Sequence, residues 1–175
     1  MGGPLAPDAL ALIARARSGD PDAFADLIAD CRARLWSICL RITGNPHDAE
    51  DALQDALVAA WQHLGSFRGD SQFGTWAYRI AANAATAVVR RRRELPRSEF
   101  EFEVDRDFTE TIAERDRIAD ALAGLPEQFR EALVLREYGD LSYEEIALHQ
   151  QVGVQTVKSR LHRARAAVAE LLATN

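Results

Sequence analysis

Apolar side chains recur along most of the chain at intervals of three and four residues, the spacing of a helix that buries one face. The pattern predicts helices over residues 8–18, 20–44, 46–64, 71–93, 111–123 and 125–139, and two more between residues 141 and 168. β-Branched residues are scattered instead of forming the alternating runs typical of strands. The sequence therefore predicts an all-α fold.

Polar caps and prolines mark the ends of several predicted helices. Asp20 and Asn45 each precede a proline, so the polar side chain is expected to cap a helix whose first position the proline takes. Gly44 ends the helix between these two caps. That helix is expected to bury Phe24, Leu27, Ile28, Cys31, Leu35, Ile38 and Ile42, and the next one Leu53, Ala56, Leu57, Ala60, Trp61 and Leu64.

The helix over residues 46–64 carries a second face of mixed chemistry. It combines acids, amides and one apolar residue, namely Asp51, Gln54, Asp55, Val58 and Gln62. Such a face is either solvated or a docking surface for a basic partner.

The helix over residues 71–93 joins aromatic side chains to a strongly basic end. Asp70 or Ser71 is expected to cap it, and its apolar stripe is Phe73, Trp76, Ala77, Ile80, Ala84 and Val88. Arg79, Asn83, Thr86 and Arg90 lie largely off that stripe, and four consecutive arginines occupy residues 90–93. Aromatic rings beside arginines suit unstacked bases along a phosphate backbone. Phe73 and Trp76 are also typical of a core, whereas Phe67, in a loop between glycines, is less so.

Residues 94–110 differ in character from the rest of the chain. Seven acidic residues accompany two arginines there, and apolar residues are interleaved. Because a lone strand would have no partner in an all-α chain, we interpret the segment as a flexible acidic linker. The chain then divides into two small helical domains, residues 1–93 and 111–175.

The stretch from Leu141 to Val168 has the pattern of a helix-turn-helix. Ser142 and Glu145 have the spacing of a capping box. The second helix places Val154, Val157, Leu161, Ala164 and Val168 inward and exposes Gln155, Lys158, Ser159, His162, Arg163 and Arg165. Amides near the start of a helix and cations along its body suit the major groove of DNA. A basic solvated face is the alternative.

The net charge of −6 is unusual for a protein that binds DNA unaided. Phosphate neutralisation drives the affinity of self-sufficient DNA binders, which are therefore usually basic. Either DNA is not the partner, or the chain meets DNA with the help of another component.

Several other classes of function lack support in the sequence. Cys31 and Cys39 lie too far apart in one predicted helix for a disulfide, so packed thiols are expected. No apolar run approaches the roughly 20 residues of a membrane span, and the N-terminus does not resemble a signal peptide. We therefore expect a cytoplasmic protein without membrane insertion. The motifs predict no catalytic residues, no metal and no cofactor.

Three passages resemble the extracytoplasmic function (ECF) group of bacterial RNA polymerase sigma factors. DAEDALQDALVAAWQHLGSFRG (residues 48–69) resembles the family's polymerase-binding helix and the loop after it. FGTWAYRIAANAATAVVRRRR (residues 73–93) resembles the helix that melts and reads the −10 promoter element. LPEQFREALVLREYGDLSYEEIA, followed by TVKSRLHRARA, resembles the domain that reads the −35 element.

The resemblance implies a role for each matching position. Core polymerase would be bound by Asp48, Asp51, Gln54, Asp55, Val58 and Gln62. The −10 element would be bound by Phe67, Arg68, Asp70, Ser71, Trp76, Arg79, Asn83 and Arg90, the loop over residues 67–71 capturing a flipped base. The −35 duplex would be bound by Gln155, Thr156, Lys158, Ser159, Arg160 and Arg163. The linker would thread toward the RNA exit channel, and an anti-sigma factor is the implied regulator.

The chain departs from the family pattern in two places. Gln150 and Gln151 stand where the family usually carries leucine and glycine, so the turn is expected to be built differently. Gly74 replaces a bulkier residue, which is expected to let the start of its helix fray. Two other functions remain open: an autonomous helix-turn-helix regulator, and a non-DNA interaction protein with a degenerate sigma fold.

Overall fold

Every regular element of the part of the chain that the structure describes is helical. The structure is a computed structural model that describes residues 7–94 and 110–173. Its α-helices are α1 (Pro7–Arg17), α2 (Pro21–Ala29), α3 (Arg32–Thr43), α4 (Pro46–His63), α5 (Phe73–Glu94), α6 (Glu110–Ala123), α7 (Glu127–Glu137), α8 (Tyr143–Gln150) and α9 (Val154–Ala173). A short 3₁₀ turn, Leu64–Ser66, follows α4. The predicted all-α class is confirmed. Residues 95–109 of the predicted linker lie outside the described ranges, and its end residues Glu94 and Glu110 belong to α5 and α6.

The predicted caps of α2 and α4 are confirmed. The Asp20 carboxylate accepts from the backbone N–H groups of Asp22 and Ala23, and the Asn45 side chain accepts from those of His47 and Asp48. Gly44 ends α3 in the left-handed conformation, with φ of 73°. These caps satisfy backbone groups that each helix end would otherwise leave without partners.

The single helix expected over residues 20–44 is wrong, because the chain breaks between α2 and α3. Cys31 has φ of −119° and ψ of −3°, and its N–H bonds to the carbonyl of Ile28 in a tight turn. No glycine or proline marks this break. Cys31, at the turn, and Leu35, in α3, are both buried in the core.

α5 is the central helix of the first domain, packed against α3 and α4. Its buried face is wider than expected, because Tyr78, Ala81, Ala82 and Ala85 join Phe73, Ala77 and Val88 in the core. The small alanine side chains allow neighbouring helices to approach closely. The expected cap at Asp70 or Ser71 is wrong, since α5 begins at Phe73 and the Gln72 carbonyl accepts its first bond from Trp76 at 3.2 Å.

Both cysteines are packed thiols, as expected. Cys31 and Cys39 are buried and free. Burial raises the pKa of Cys31 to about 11 and that of Cys39 to about 12, and Asp30 adds to the first shift. Neither thiol is therefore disposed to react near neutral pH.

The two helical groups meet where α7 packs against α3 and α5. Arg130 of α7 is 6% exposed and donates to three backbone carbonyls. It bonds to Ile42 of α3 at 2.8 Å, and to Ala123 and Leu125 before α7 at 2.9 and 3.2 Å. Burial lowers the pKa of Arg130 and its Nε has no hydrogen-bond partner among the described residues, so the bonds from its terminal nitrogens are what join α3 to the segment before α7.

The helix-turn-helix is built from α8 and α9. Its predicted capping box is confirmed: Ser142 Oγ accepts from the Glu145 N–H at 3.1 Å, and Glu145 Oε2 accepts from the Ser142 N–H at 2.8 Å. Gln151 lies in the left-handed region, with φ of 54°, and the Val152 N–H bonds back to the Ala147 carbonyl at 3.0 Å. This is the glycine-type helix ending made by a glutamine.

We expect Gln151→Gly to stabilise the protein, because an L side chain at positive φ costs roughly 1–2 kcal/mol. The added freedom of glycine in the unfolded chain offsets part of that gain. The net rise should be about 0.5–1 kcal/mol, or roughly 2 °C in Tm. Thermal unfolding followed by circular dichroism measures it, and an unchanged or lower Tm would contradict the strain assigned to this residue.

None of the helices in residues 7–94 and 110–173 is long and apolar enough to span a membrane.

Candidate nucleic-acid interface

One face of α4 presents the mixed chemistry expected of a docking surface. Asp51, Gln54, Asp55, Val58 and Gln62 are all exposed, and Val58 is 56% exposed. Trp61, expected in the buried stripe, is instead 38% exposed, and its ring meets that of Phe24 edge to face, 5.0 Å away between ring centroids. Two apolar side chains thus lie among the acids and amides of this face.

The arginines that end α5 reach back to the acids of α4. Arg92 Nη1 lies 2.9 Å from Asp48 Oδ2, and Arg91 Nη2 lies 3.3 Å from Asp55 Oδ2. The Asp48 side chain is only 17% exposed, so of the six residues implied for polymerase binding it is the least accessible. Asp55 is more than half exposed and pairs with an equally exposed arginine, a contact of small energy.

Phe67 is a core residue in this structure, contrary to the expectation for a loop between glycines. It is 3% exposed, and its ring lies 5.9 Å from that of Phe73 and 5.3 Å from that of Trp76. Arg17 of α1 donates to the Phe67 carbonyl, and its Nε donates to that of Leu64 at 3.3 Å. The aromatic cluster and Arg17 therefore anchor the base of the loop.

The rest of that loop is available at the surface. Arg68 and Asp70 are exposed, and the half-buried Ser71 donates to the Gln72 carbonyl at 3.3 Å. Buried Phe67 thus supports the loop tip from below.

The α5 residues implied in −10 contact share one side of the helix. At about 100° per residue, positions 76, 79, 83 and 90 fall within a sector of roughly 60°. Trp76 and Arg79 are half-buried, and Asn83 and Arg90 are exposed. They form a continuous stripe with an aromatic ring at one end and a guanidinium at the other.

The basic end of this stripe is ion-paired with the second domain. Arg90 donates from Nε and Nη2 to Glu127 Oε1 of α7, at 2.9 and 2.7 Å. Arg93 approaches Glu127 Oε2 at 3.3 Å. The Glu127 hydrogen bond raises the pKa of Arg90. In this arrangement the Glu127 carboxylate is paired with two of the arginines at the end of α5.

α9 presents the surface implied in −35 contact. Gln155, Thr156, Lys158, Ser159 and Arg163 are exposed, and Arg160 is half-buried. Val157, Leu161 and Ala164 anchor the opposite side of the helix in the core. Beside this surface, Tyr143, Lys158, His162 and Arg165 line a basic hollow of about 550 Å³. Arg165 is paired with Glu137 at 2.7 Å.

A cleft of about 550 Å³ separates α5 from the helix-turn-helix. Asn83 and Arg90 border it on one side, and Gln150 and Arg160 on the other. Two surfaces expected to read different DNA elements thus face each other. Within the described residues, no group of three or more histidine, cysteine or acidic side chains is arranged to hold a metal ion.

Pairwise contacts between distant elements escaped the sequence reasoning. Arg17, Glu127, Gln128 and Glu131 each support an implied site residue or its neighbour, and the last three lie in the passage that resembles the −35-reading domain, yet the sequence assigned none of them a role. At the turn, Gln151 makes the glycine-type helix ending, and Gln150 is the residue whose contacts with α7 and α9 differ from what leucine could make.

The geometry defines a two-part helical protein with an exposed face of acids and amides on α4, an aromatic–basic stripe on α5 and a helix-turn-helix. Comparison with known families agrees with it. Residues 27–94 match the family described as Sigma-70 region 2, and residues 115–168 match Sigma-70, region 4.

Relatives and solved structures extend this match over nearly the whole chain. The chain is 38% identical to the RNA polymerase sigma-H factor of Pseudomonas aeruginosa, covering 92% of each, and 35% identical to the ECF RNA polymerase sigma-E factor of Escherichia coli, covering 90% of each. The structure of CnrH in complex with the cytosolic domain of CnrY matches with TM-score 0.73 and 30% identity, over 96% of this chain and 98% of that one. The sigma factor RpoE of Bartonella quintana, in complex with the anti-sigma factor NepR, matches with TM-score 0.69 and 26% identity, over 87% and 98%.

The chain belongs to the ECF group of RNA polymerase sigma factors. It is therefore a transcription initiation factor that directs polymerase to promoters.

Proposed function

We propose that the exposed face of α4 docks on core RNA polymerase, that the α5 stripe and loop 67–71 bind the −10 element, and that α9 binds the −35 duplex. The observation that carries this is that each of the three surfaces has exposed side chains, among them Asp51, Asn83 and Gln155, in one chain whose net charge is negative. A protein of this charge gains DNA affinity from a partner, and the acid–amide face of α4 has the chemistry to bind one.

Within this proposal, one residue of loop 67–71 supports the site and the others named here contact DNA. Phe67 holds Trp76 in place from the core, while Arg68, Asp70 and Ser71 at the surface meet the captured base. The proposal assigns Phe67 a supporting part because its ring is buried in the present arrangement.

The protein acts without catalytic chemistry of its own, since polymerase carries out the reaction. Its place of action is the cytoplasm, where core polymerase and promoter DNA are found. An anti-sigma factor is its proposed regulator, because two structures of similar fold include a bound regulatory chain.

Gel-shift measurements with and without core polymerase test the proposal. We expect the protein alone to bind duplex promoter fragments weakly, and the complex with polymerase to bind them tightly and selectively. Tight, selective binding of duplex DNA by the protein alone, unchanged when polymerase is added, would support an autonomous regulator instead.

Substitutions in α9 should separate affinity from specificity. Arg163→Ala removes a cation and should weaken −35 binding on all sequences, with a salt dependence reduced by about one phosphate contact. Gln155→Ala should change the base preference, since a side-chain amide that reads a base edge discriminates by about 1–3 kcal/mol. Competition with promoter variants measures both effects. A loss at Gln155→Ala that is equal on native and scrambled −35 sequences would exclude base reading.

A further inference from the structure

Gln150 connects three helices at the turn of the helix-turn-helix. It ends α8, and its Nε2 donates to the Gln128 backbone carbonyl at 2.9 Å and to Glu131 Oε2 at 2.8 Å, both in α7. Its Oε1 accepts from Arg160 Nη1 of α9 at 2.7 Å. Both sides of the amide group are therefore engaged, one with α7 and the other with α9.

Arg160 is held from a second direction by Gln128. Its Nη2 donates to Gln128 Oε1 at 2.9 Å, so both terminal nitrogens of the guanidinium are fixed. A guanidinium has five N–H donors, and these two bonds leave capacity for an anionic acceptor. An arginine restrained in this way loses little further side-chain entropy when it binds a phosphate.

We call Gln150, Gln128 and Arg160 together the clamp. Glu131 anchors the clamp to the interior of the protein. Its carboxylate accepts from Gln150, from His149 Nε2 at 3.2 Å and from Thr86 Oγ1 of α5 at 3.2 Å. Burial raises the pKa of Glu131, but the hydrogen bonds from His149, Gln150 and Thr86 outweigh it and hold the pKa below its usual range. A charged Glu131 is a strong acceptor for the Gln150 amide.

The position of Arg160 on α9 favours a backbone phosphate as its target. Arg160 lies roughly 140° round the helix from Gln155, at the edge of the exposed surface and beside α7. Side chains that flank a recognition helix meet the phosphate backbone, whereas those at its centre reach base edges.

We propose that Gln150 is a positioning residue for promoter binding: together with Gln128, it presents the Arg160 guanidinium to a phosphate of the −35 duplex. The inference rests on the proposed function, because it takes α9 to be the −35 reader. Gln150 itself does not touch DNA in this scheme.

The test measures the affinity of reconstituted polymerase for a duplex promoter fragment selected by that same holoenzyme. Gln150→Met keeps the length of the side chain and removes its polar atoms. We expect binding to weaken about fivefold on every −35 sequence, because an unrestrained arginine must be ordered on binding. Gln151→Met, at the exposed neighbouring position, is the matched control and should leave affinity unchanged.

A double-mutant cycle shows whether Gln150 acts through Arg160. Arg160→Ala should weaken binding and reduce the salt dependence by about one phosphate contact, and Gln150→Met should then have no further effect. An equal loss in the two backgrounds would mean that Gln150 acts through the fold of the turn, and would overturn the proposal. So would full affinity of Gln150→Met in the parent background.

A second variant distinguishes the expected loss of affinity from misfolding. A measurement on the parent holoenzyme distinguishes it from a failure of the proposed function. Gln128→Met removes one bond to Arg160 and leaves Glu131 untouched, so a smaller loss is expected, again absent in the Arg160→Ala background. Full affinity of Gln128→Met would count against the clamp. If the parent holoenzyme binds the fragment equally well with its −35 element scrambled, the proposed function of α9 fails, whatever Gln150 does.

Discussion

Replacing Arg130 with methionine should lower the free energy of unfolding by about 3 kcal/mol, and the Tm by roughly 10 °C. The methionine removes three hydrogen bonds to backbone carbonyls and leaves the Ile42 and Leu125 carbonyls buried without their donor. An unsatisfied buried acceptor costs about 1–3 kcal/mol, and relief from burying a charge offsets part of the sum. Urea unfolding followed by circular dichroism gives the free energy.

Arg117→Met is the matched control for this prediction. Arg117 also donates to a backbone carbonyl, that of Leu172, but it is exposed. Its replacement should therefore lower the free energy of unfolding by less than about 0.5 kcal/mol. Equal stability of the Arg130 and Arg117 variants would contradict the assignment of Arg130 as the buried tie between α3 and α7.

Reversing the charges at Asp51 and Asp55 to lysine should weaken binding to core polymerase by roughly 30-fold or more. Placing like charges opposite each other across an interface costs several kcal/mol, and both residues are exposed on the proposed docking face. The fold should persist, because the structure gives Asp55 only an exposed pair with Arg91. Fluorescence anisotropy of the labelled protein titrated with core polymerase measures the loss, and Tm serves as the folding control.

Glu50→Lys is the matched control on the same helix. Glu50 is exposed, and it lies about 100° from Asp51, off the proposed docking face. It should retain near-parent affinity. If Glu50→Lys binds as weakly as Asp51→Lys, the effect is one of overall charge and the docking face is misplaced.

The local parts of the fold were predictable because a few neighbouring residues encode them. Asp20, Asn45 and Ser142 cap their helices as their sequence contexts indicate, and the capping box at Ser142 and Glu145 has both reciprocal bonds. Helical periodicity likewise predicted the inward positions of α9, such as Val157 and Leu161.

Packing between distant residues decided the features that were not predictable. The break at Cys31 is marked by no glycine or proline, and the helix that follows it packs against α4 and α5. Phe67 looked exposed by its loop context but completes a cluster with Phe73 and Trp76.

The candidate surfaces were likewise predictable where they depend on spacing within one helix, but not where they depend on contacts between helices. Helical spacing indicated which side chains of α4 and α9 share a face, and those side chains are largely exposed. Helical spacing did not reveal that Glu127 pairs with Arg90, or that Gln150 accepts a hydrogen bond from Arg160, since each contact joins separate elements.

Run-off transcription with purified core polymerase tests the central claim most directly. Genomic fragments first identify a promoter, and templates with its −10 or its −35 element replaced are then compared with the parent template. The structure and the family predict transcripts from this promoter only when the protein is present, and their loss when either element is replaced. A transcript that forms without the protein, or that persists after either element is replaced, would contradict a promoter-directing role through two DNA contacts.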